Sequence, residues 1–152
     1  MGDAMDTLTA LGIVGGLLAL SLAIGFAWKA GQGAVEQRND KGAIPERLRA
    51  RGASLTLLQV SSEMCSYCAA MRRILSQIDR EKSDVGHVEI DAANEPELVS
   101  SLRITQTPTT LLVARSGDIV SWIRGAATPA AVTQAIAEAQ DRLRKGSHDW
   151  SI

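Results

Sequence analysis

The apolar positions along the chain fall into three patterns. From Leu8 to Trp28 (LTALGIVGGLLALSLAIGFAW) they are nearly continuous, and no charged residue lies between Asp6 and Lys29. At ~1.5 Å per residue this stretch rises ~30 Å as a helix, the thickness of a bilayer core. Trp28 and Lys29 stand where an interfacial anchor belongs. The expectation is a transmembrane helix over residues 8–28. A cleaved signal peptide fits less well, because the n-region carries Asp3 and Asp6 rather than Lys or Arg, and the apolar run exceeds ~15 residues. Residues 29–52 follow as a linker, Gly-rich and polar through residue 43, with a short helix starting at Ile44-Pro45.

Beyond residue 52 the pattern alternates between strand and helix. Ser54–Val60 (SLTLLQV) is a short apolar run of the buried-strand kind. From Cys68, Met71, Ile74, Leu75 and Ile78 recur at helical spacing, with Arg72, Arg73, Asp79 and Arg80 on the other face. His87–Asp91 alternates, with Val88 and Ile90 inward. Glu95–Leu102 is a short helix with Pro96 in its first turn. Thr109–Arg115 and Ile119–Arg124 flank Ser116-Gly117-Asp118 as a hairpin. Thr128 caps a last helix opened by Pro129, striped by Val132, Ala135, Ile136, Ala139 and Leu143. Residues 146–152 show no period and are expected as a flexible tail. Strand–helix–strand units followed by a hairpin predict an α/β domain over residues 53–145, a mixed sheet flanked by helices.

Charge changes the picture in two ways. The net charge is −1 over 152 residues, which argues against nucleic acid as a partner. No basic residue precedes the apolar stretch, whereas Lys29, Arg38, Lys41, Arg47, Arg49 and Arg51 follow it. The positive side stays in the cytoplasm, so the expectation is a single-pass protein of the cell membrane with its folded domain cytoplasmic.

The only cysteines are Cys65 and Cys68, in Cys65-Ser66-Tyr67-Cys68. A bridge between them closes too small a loop to staple a fold, so the pair is catalytic, metal-binding or accidental. A zinc site needs four ligands. The remaining candidates are His87 and His148, in a strand and a tail, so no metal is expected. The pair follows a buried strand and opens a helix, whose free N–H groups and positive dipole end favour a thiolate. That thiolate is the nucleophile of disulfide exchange. Cys65 is the expected attacking thiol and Cys68 the resolving one.

At these residues the domain resembles a thioredoxin-like domain. The matching features are the strand LTLLQV, the Cys65–Cys68 motif on a helix, and the strand HVEID. Thr107-Pro108-Thr109 before the hairpin, Gly117 in its turn and Gly125 after it complete the match. The resemblance implies a thiol–disulfide oxidoreductase that acts on disulfide-containing protein substrates without a cofactor, recycled by an unidentified electron donor or acceptor. It implies a cis-proline at Pro108 opposite the cysteines. It also implies that the Thr107 backbone pairs with an extended substrate segment, with Tyr67 at the rim. The family's usual Trp-Cys-Gly-Pro-Cys is Met64-Cys65-Ser66-Tyr67-Cys68 here, and Tyr67 is closer to glutaredoxins. The family's buried aspartate, six residues before the first cysteine, is Gln59, and the lysine that often partners it aligns with His87. Both positions are therefore expected to modulate the pair. The family's first strand is missing by this reading, since residues 30–43 show no strand pattern.

Two rival functions keep the fold. One is an extracytoplasmic disulfide oxidant or cytochrome-maturation reductase, separable by topology mapping. The other is a catalytically silent thioredoxin-like binding module, separable by reaction with a small disulfide.

Overall fold

A computed structural model of the chain describes residues 2–31, 34–36, 40 and 44–148. The chain divides into two compact units, Met1–Gln32 and Gly33–Ile152. The first holds one helix, α1 (Gly2–Gly31). Its described side chains from Leu11 to Phe26 are exposed all round, with Leu22 at 74% and Phe26 at 78%. The helix expected over residues 8–28 is thus present inside α1. Among the described residues no helix is long and apolar enough to cross a membrane.

The second unit is built on a five-stranded sheet in the order β1-β5-β4-β2-β3. Its strands are β1 (Ala34–Glu36), β2 (Leu55–Ser61), β3 (Val85–Asp91), β4 (Thr109–Ala114) and β5 (Ile119–Arg124). β2 and β3 run parallel, joined by α2 (Cys68–Glu81), and the other pairings are antiparallel. α3 (Pro96–Ser101) precedes β4, and α4 (Pro129–His148) closes the fold.

β2 is buried at every position because both faces of the sheet are covered. Leu55 and Leu57 pack with Met71, Leu75 and Ile78 of α2 and with Val132, Ala135, Ile136 and Ala139 of α4. Leu58 and Val60 pack on the other face with Leu111, Trp122 and Leu102. Each fully buried Leu contributes roughly 1.5–3 kcal/mol of burial. Val88 and Ile90 face inward as expected, but toward this second cluster. The alternate residues His87 and Glu89 therefore face α2.

The start of the second unit departs from the expected linker. Ala34–Glu36 pairs antiparallel with β5 in the register Val35↔Ile123, so the edge strand missing from the sequence reading is present. Three residues are too few to show alternation, and only pairing with β5 makes them a strand. Asp40 then exchanges backbone hydrogen bonds with Ile119. Ile44 and Leu48, around a 3₁₀ turn over Glu46–Leu48, are buried at 2% and 6%. The hairpin turn is locked from the same side. Gly117 has φ +95°, and a Cβ there would lie 2.7 Å from the Ile44 carbonyl oxygen. At the other end α4 runs through His148, past the expected start of a tail at residue 146. Residues 149–152 of that tail lie outside the described residues.

Candidate active site

β2 ends at Ser61, and the chain turns before α2 starts. The Cys65 N–H donates to the Ser62 carbonyl at 3.1 Å, and the Cys68 N–H to the Cys65 carbonyl at 3.4 Å. Helical residues begin at Cys68 with Tyr67 as N-cap. Cys65 thus sits in the turn ahead of the helix rather than at its first position, while Cys68 occupies that position. Cys65 and Cys68 form a disulfide with S–S 2.00 Å and Cα–Cα 5.5 Å. Cys68 is 4% exposed because it continues the apolar stripe of Met71, Leu75 and Ile78. Cys65, off that stripe, is half-buried. Met64 at 94% and Tyr67 at 59% exposure flank it as an apolar rim.

The Thr107–Pro108 peptide is cis. The hydroxyls of Ser62 and Thr107 lie 2.9 Å apart, tying the cysteine turn to the segment before β4. The Pro108 carbonyl accepts from the Gly125 N–H at 2.8 Å. Among the described residues no group bonds the Thr107 backbone N–H or C=O, so both are open to an incoming strand.

Beneath the pair lies a polar chain. Gln59 is fully buried, and its Nε2 donates to the Cys68 carbonyl and to Ser61 Oγ, each at 3.0 Å. Ser61 donates to Glu89, the register partner of Gln59 on β3. Arg72 of α2 makes a two-pronged ion pair with the same carboxylate. That hydrogen-bonded guanidinium holds the Glu89 carboxyl below the usual carboxylate range, against a weaker opposing effect of burial. Ser61, Ser62, Arg72 and Glu89 line a cleft of about 490 Å³ together with Cys65 and Cys68.

The family model for the thioredoxin-like domain matches residues 45–140. The chain belongs to the thioredoxin-like family. Human glutaredoxin-3 is 29% identical over 93 residues, 61% of this chain and 28% of that protein. The chain thus spans under a third of the length of that relative. Thioredoxin from Trypanosoma brucei brucei superposes with TM-score 0.51 at 30% identity, covering 57% of this chain and 75% of its own. Mitochondrial thioredoxin 3 from Saccharomyces cerevisiae, in oxidized form, gives TM-score 0.51 at 23% identity over 58% and 81%, a likeness of fold. A thioredoxin-like domain with a Cys-x-x-Cys pair supports thiol–disulfide oxidoreductase activity.

Within this thioredoxin-like domain the structure brings together Cys65, Cys68, Gln59 and, across the Ser62 contact, Thr107-Pro108. Tyr67 stands at the rim. His87 lies elsewhere: its Nδ1 is 3.1 Å from Ser76 Oγ, two helical turns along α2 from Cys68, and it does not line the cleft. Burial pushes the His87 pKa down, against the pull of Glu89 and Asp79. Arg72, placed by the sequence pattern on the polar face of its helix, is bound to Glu89 at the cleft. Ser61, Ser62 and Glu89 were missed. The signal that finds Glu89 is parity: it shares a face with His87, and parallel pairing sets it beside Gln59.

Proposed function

We propose that this protein is a membrane-anchored thiol–disulfide oxidoreductase acting on protein disulfides, with Cys65 as nucleophile and Cys68 as resolving thiol. The observation that carries the reading is the asymmetry of the pair: Cys68 buried at 4%, Cys65 half-buried within an exposed rim. An attacking thiolate must reach a macromolecular disulfide, and the greater exposure of Cys65 supports it in that role.

In the reducing direction the Cys65 thiolate attacks one sulfur of the substrate disulfide. The substrate S–S bond breaks, a mixed disulfide forms, and the released substrate thiolate takes a proton from water. Cys68 then loses its proton and attacks Cys65 Sγ. The mixed disulfide breaks, the second substrate thiol leaves, and the Cys65–Cys68 disulfide closes. Two electrons pass from the pair to the substrate, and a dithiol donor returns them. The open Thr107 backbone holds an extended substrate segment by strand addition, with Pro108 behind it and Tyr67 and Met64 packing on its side chains.

The anchoring part rests on α1. Its helix is continuous from Gly2 to Gly31, its sequence is uncharged between Asp6 and Lys29, and its described apolar side chains are exposed. Lys and Arg follow it but do not precede it, which favours a cytoplasmic domain.

The test is a trap. Full-length Cys68→Ser should accumulate a mixed disulfide through Cys65, retaining its substrate through denaturing electrophoresis until a reductant is added. Trapping through Cys68 in Cys65→Ser instead would reverse the roles, and no adduct in either would return the silent binding module. A periplasm-active reporter fused after Ile152 should stay inactive in bacteria, and activity there would place the domain on the oxidising side.

A further inference from the structure

A second cavity, of about 620 Å³, lies away from the cysteines. It is larger than the cleft at Cys65 and Cys68 and shares no lining residue with it. Gly52, Ala53 and Thr56 place it at the start of β2, and Arg115 just past the end of β4. Cys65 follows the far end of β2, about 20 Å away for a strand of this length.

Four arginines line the cavity, Arg47, Arg49, Arg51 and Arg115, against one carboxylate, Glu46. Their donors are only partly spent. Arg47 forms a two-pronged ion pair with Glu95. Arg115 gives Nε and Nη2 to the Ala53 and Gly52 carbonyls at 3.3 and 3.0 Å, with Nη1 left over. Arg49 gives Nη1 to the Arg115 carbonyl. The Arg49 Nε is buried and has no hydrogen-bond partner among the described residues. Arg51 is exposed and makes no hydrogen bond or ion pair among them. Thr56, 3% exposed, accepts from the Ala50 N–H at 3.0 Å, and its own proton has no acceptor among the described residues.

The lining is also held in place. A Cβ on Gly86 would lie 2.2 Å from the Cβ of Ala50, so this glycine lets the lining segment sit directly on β3. A buried N–H without a partner is rare in native folds. Guanidiniums gathered around one cavity repel one another unless an anion lies among them. Each offers paired N–H donors that match two oxygens of one phosphate. A single carboxylate would neutralise one arginine, whereas the surplus of positive groups here suits an anion of higher charge.

We propose that this cavity binds a phosphate-bearing ligand through Arg49, Arg51 and Arg115, with the Thr56 hydroxyl as a further donor. The ligand stands at the opposite end of β2 from the disulfide and does not compete with disulfide substrates. Two sources present this chemistry: a soluble phosphate or pyrophosphate compound, and the headgroup of an anionic lipid.

Full-length wild type in an uncharged detergent is titrated with pyrophosphate at constant ionic strength, and amide hydrogen exchange is followed. Exchange at residues 49–53 should slow in a saturable way. Arg51→Gln should weaken the apparent affinity at least about tenfold, the loss of a charge-assisted pair. Arg49→Gln should do the same, and if it does not fold, the exposed Arg51 carries the test. Arg80→Gln removes the same charge from the last turn of α2, outside the cavity. It should leave the affinity within about twofold, because salt screens a distant charge. The same amides are followed in phosphatidylcholine vesicles with and without phosphatidic acid. Slowing by phosphatidic acid that Arg51→Gln abolishes assigns the phosphate to a lipid headgroup. Slowing by pyrophosphate alone assigns it to a soluble compound. No slowing with either probe overturns the proposal, and so does equal weakening by Arg51→Gln and Arg80→Gln.

Discussion

The two halves of β2 face the same helix with opposite chemistry. Leu55 and Leu57 meet Met71, Leu75 and Ile78 in an apolar cluster. Two residues further, on the same face, Gln59 and Ser61 meet the Cys68 carbonyl and Glu89 through hydrogen bonds. One strand and one helix thus supply both a core and a reaction floor. Apolar packing needs no proton bookkeeping and stabilises in proportion to buried area. A buried polar floor is costly unless satisfied, and it holds groups that respond to a change of charge or protonation above them. The expectation is a division of labour: changes in the lower half move stability, and changes in the upper half move rates and redox equilibrium.

The sharpest way to break this division is at the cysteines. Cys65→Ala should lower the rate of protein disulfide reduction by at least about 10³-fold, because water or hydroxyl is a far poorer nucleophile than a thiolate. Its unfolding midpoint under reducing conditions should barely move. In the lower half Leu75→Ala should cost about 2–5 kcal/mol in urea unfolding, while the folded fraction keeps the wild-type glutathione equilibrium. A large change of that equilibrium would show that the apolar cluster also sets the redox poise.

Gln59→Asp puts both behaviours at one position. A carboxylate there can accept the Cys68 proton during resolution, so turnover near neutral pH should rise several-fold by stopped-flow measurement. Stability should fall by about 1–3 kcal/mol, since the N–H donors to Cys68 and Ser61 are lost and a buried carboxylate loses its hydration. An unchanged rate in a folded variant would leave proton transfer to solvent.

The pH effects are smaller. His87 stands beside Leu57 in the register, and burial lowers its pKa from 6.5. Between 6.5 and that lower folded value the unfolded chain binds more protons. The contribution of neutral His87 is therefore whole above 6.5 and is lost as pH falls through the folded pKa. His87→Gln should flatten the stability curve in that window, as followed by thermal melts. Arg72→Gln should have the smallest effect on stability, since the pair is half-exposed and screened. Glu89 is held below its ordinary 4.5, so any stability difference from wild type should be present above that pH and vanish as pH falls through the lowered value.

Local chemistry along the chain carries much of this protein. The stripe Met71, Leu75 and Ile78, the turn at Gly117 and the cap Thr128-Pro129 are set within a few residues, by periods of 3.6 and 2 and by fixed dihedrals. Cys65 and Cys68 need only their place after β2. The resemblance named Thr107 and Pro108 from their place before the hairpin, and Gln59 from its place on the strand six residues ahead of Cys65. What only tertiary structure decided depends on register between strands distant in sequence. Ala34–Glu36 is a strand because β5 offers it an edge. Residues 44–48 are part of the core because the sheet leaves room for Ile44 and Leu48. Glu89 reaches the site because parallel pairing sets it beside Gln59, with Arg72 above it. A side-chain period tells which residues share a face of one element. It does not tell which face of the sheet that is, nor what stands across from it, because those follow from pairings whose energy exists only once the strands meet.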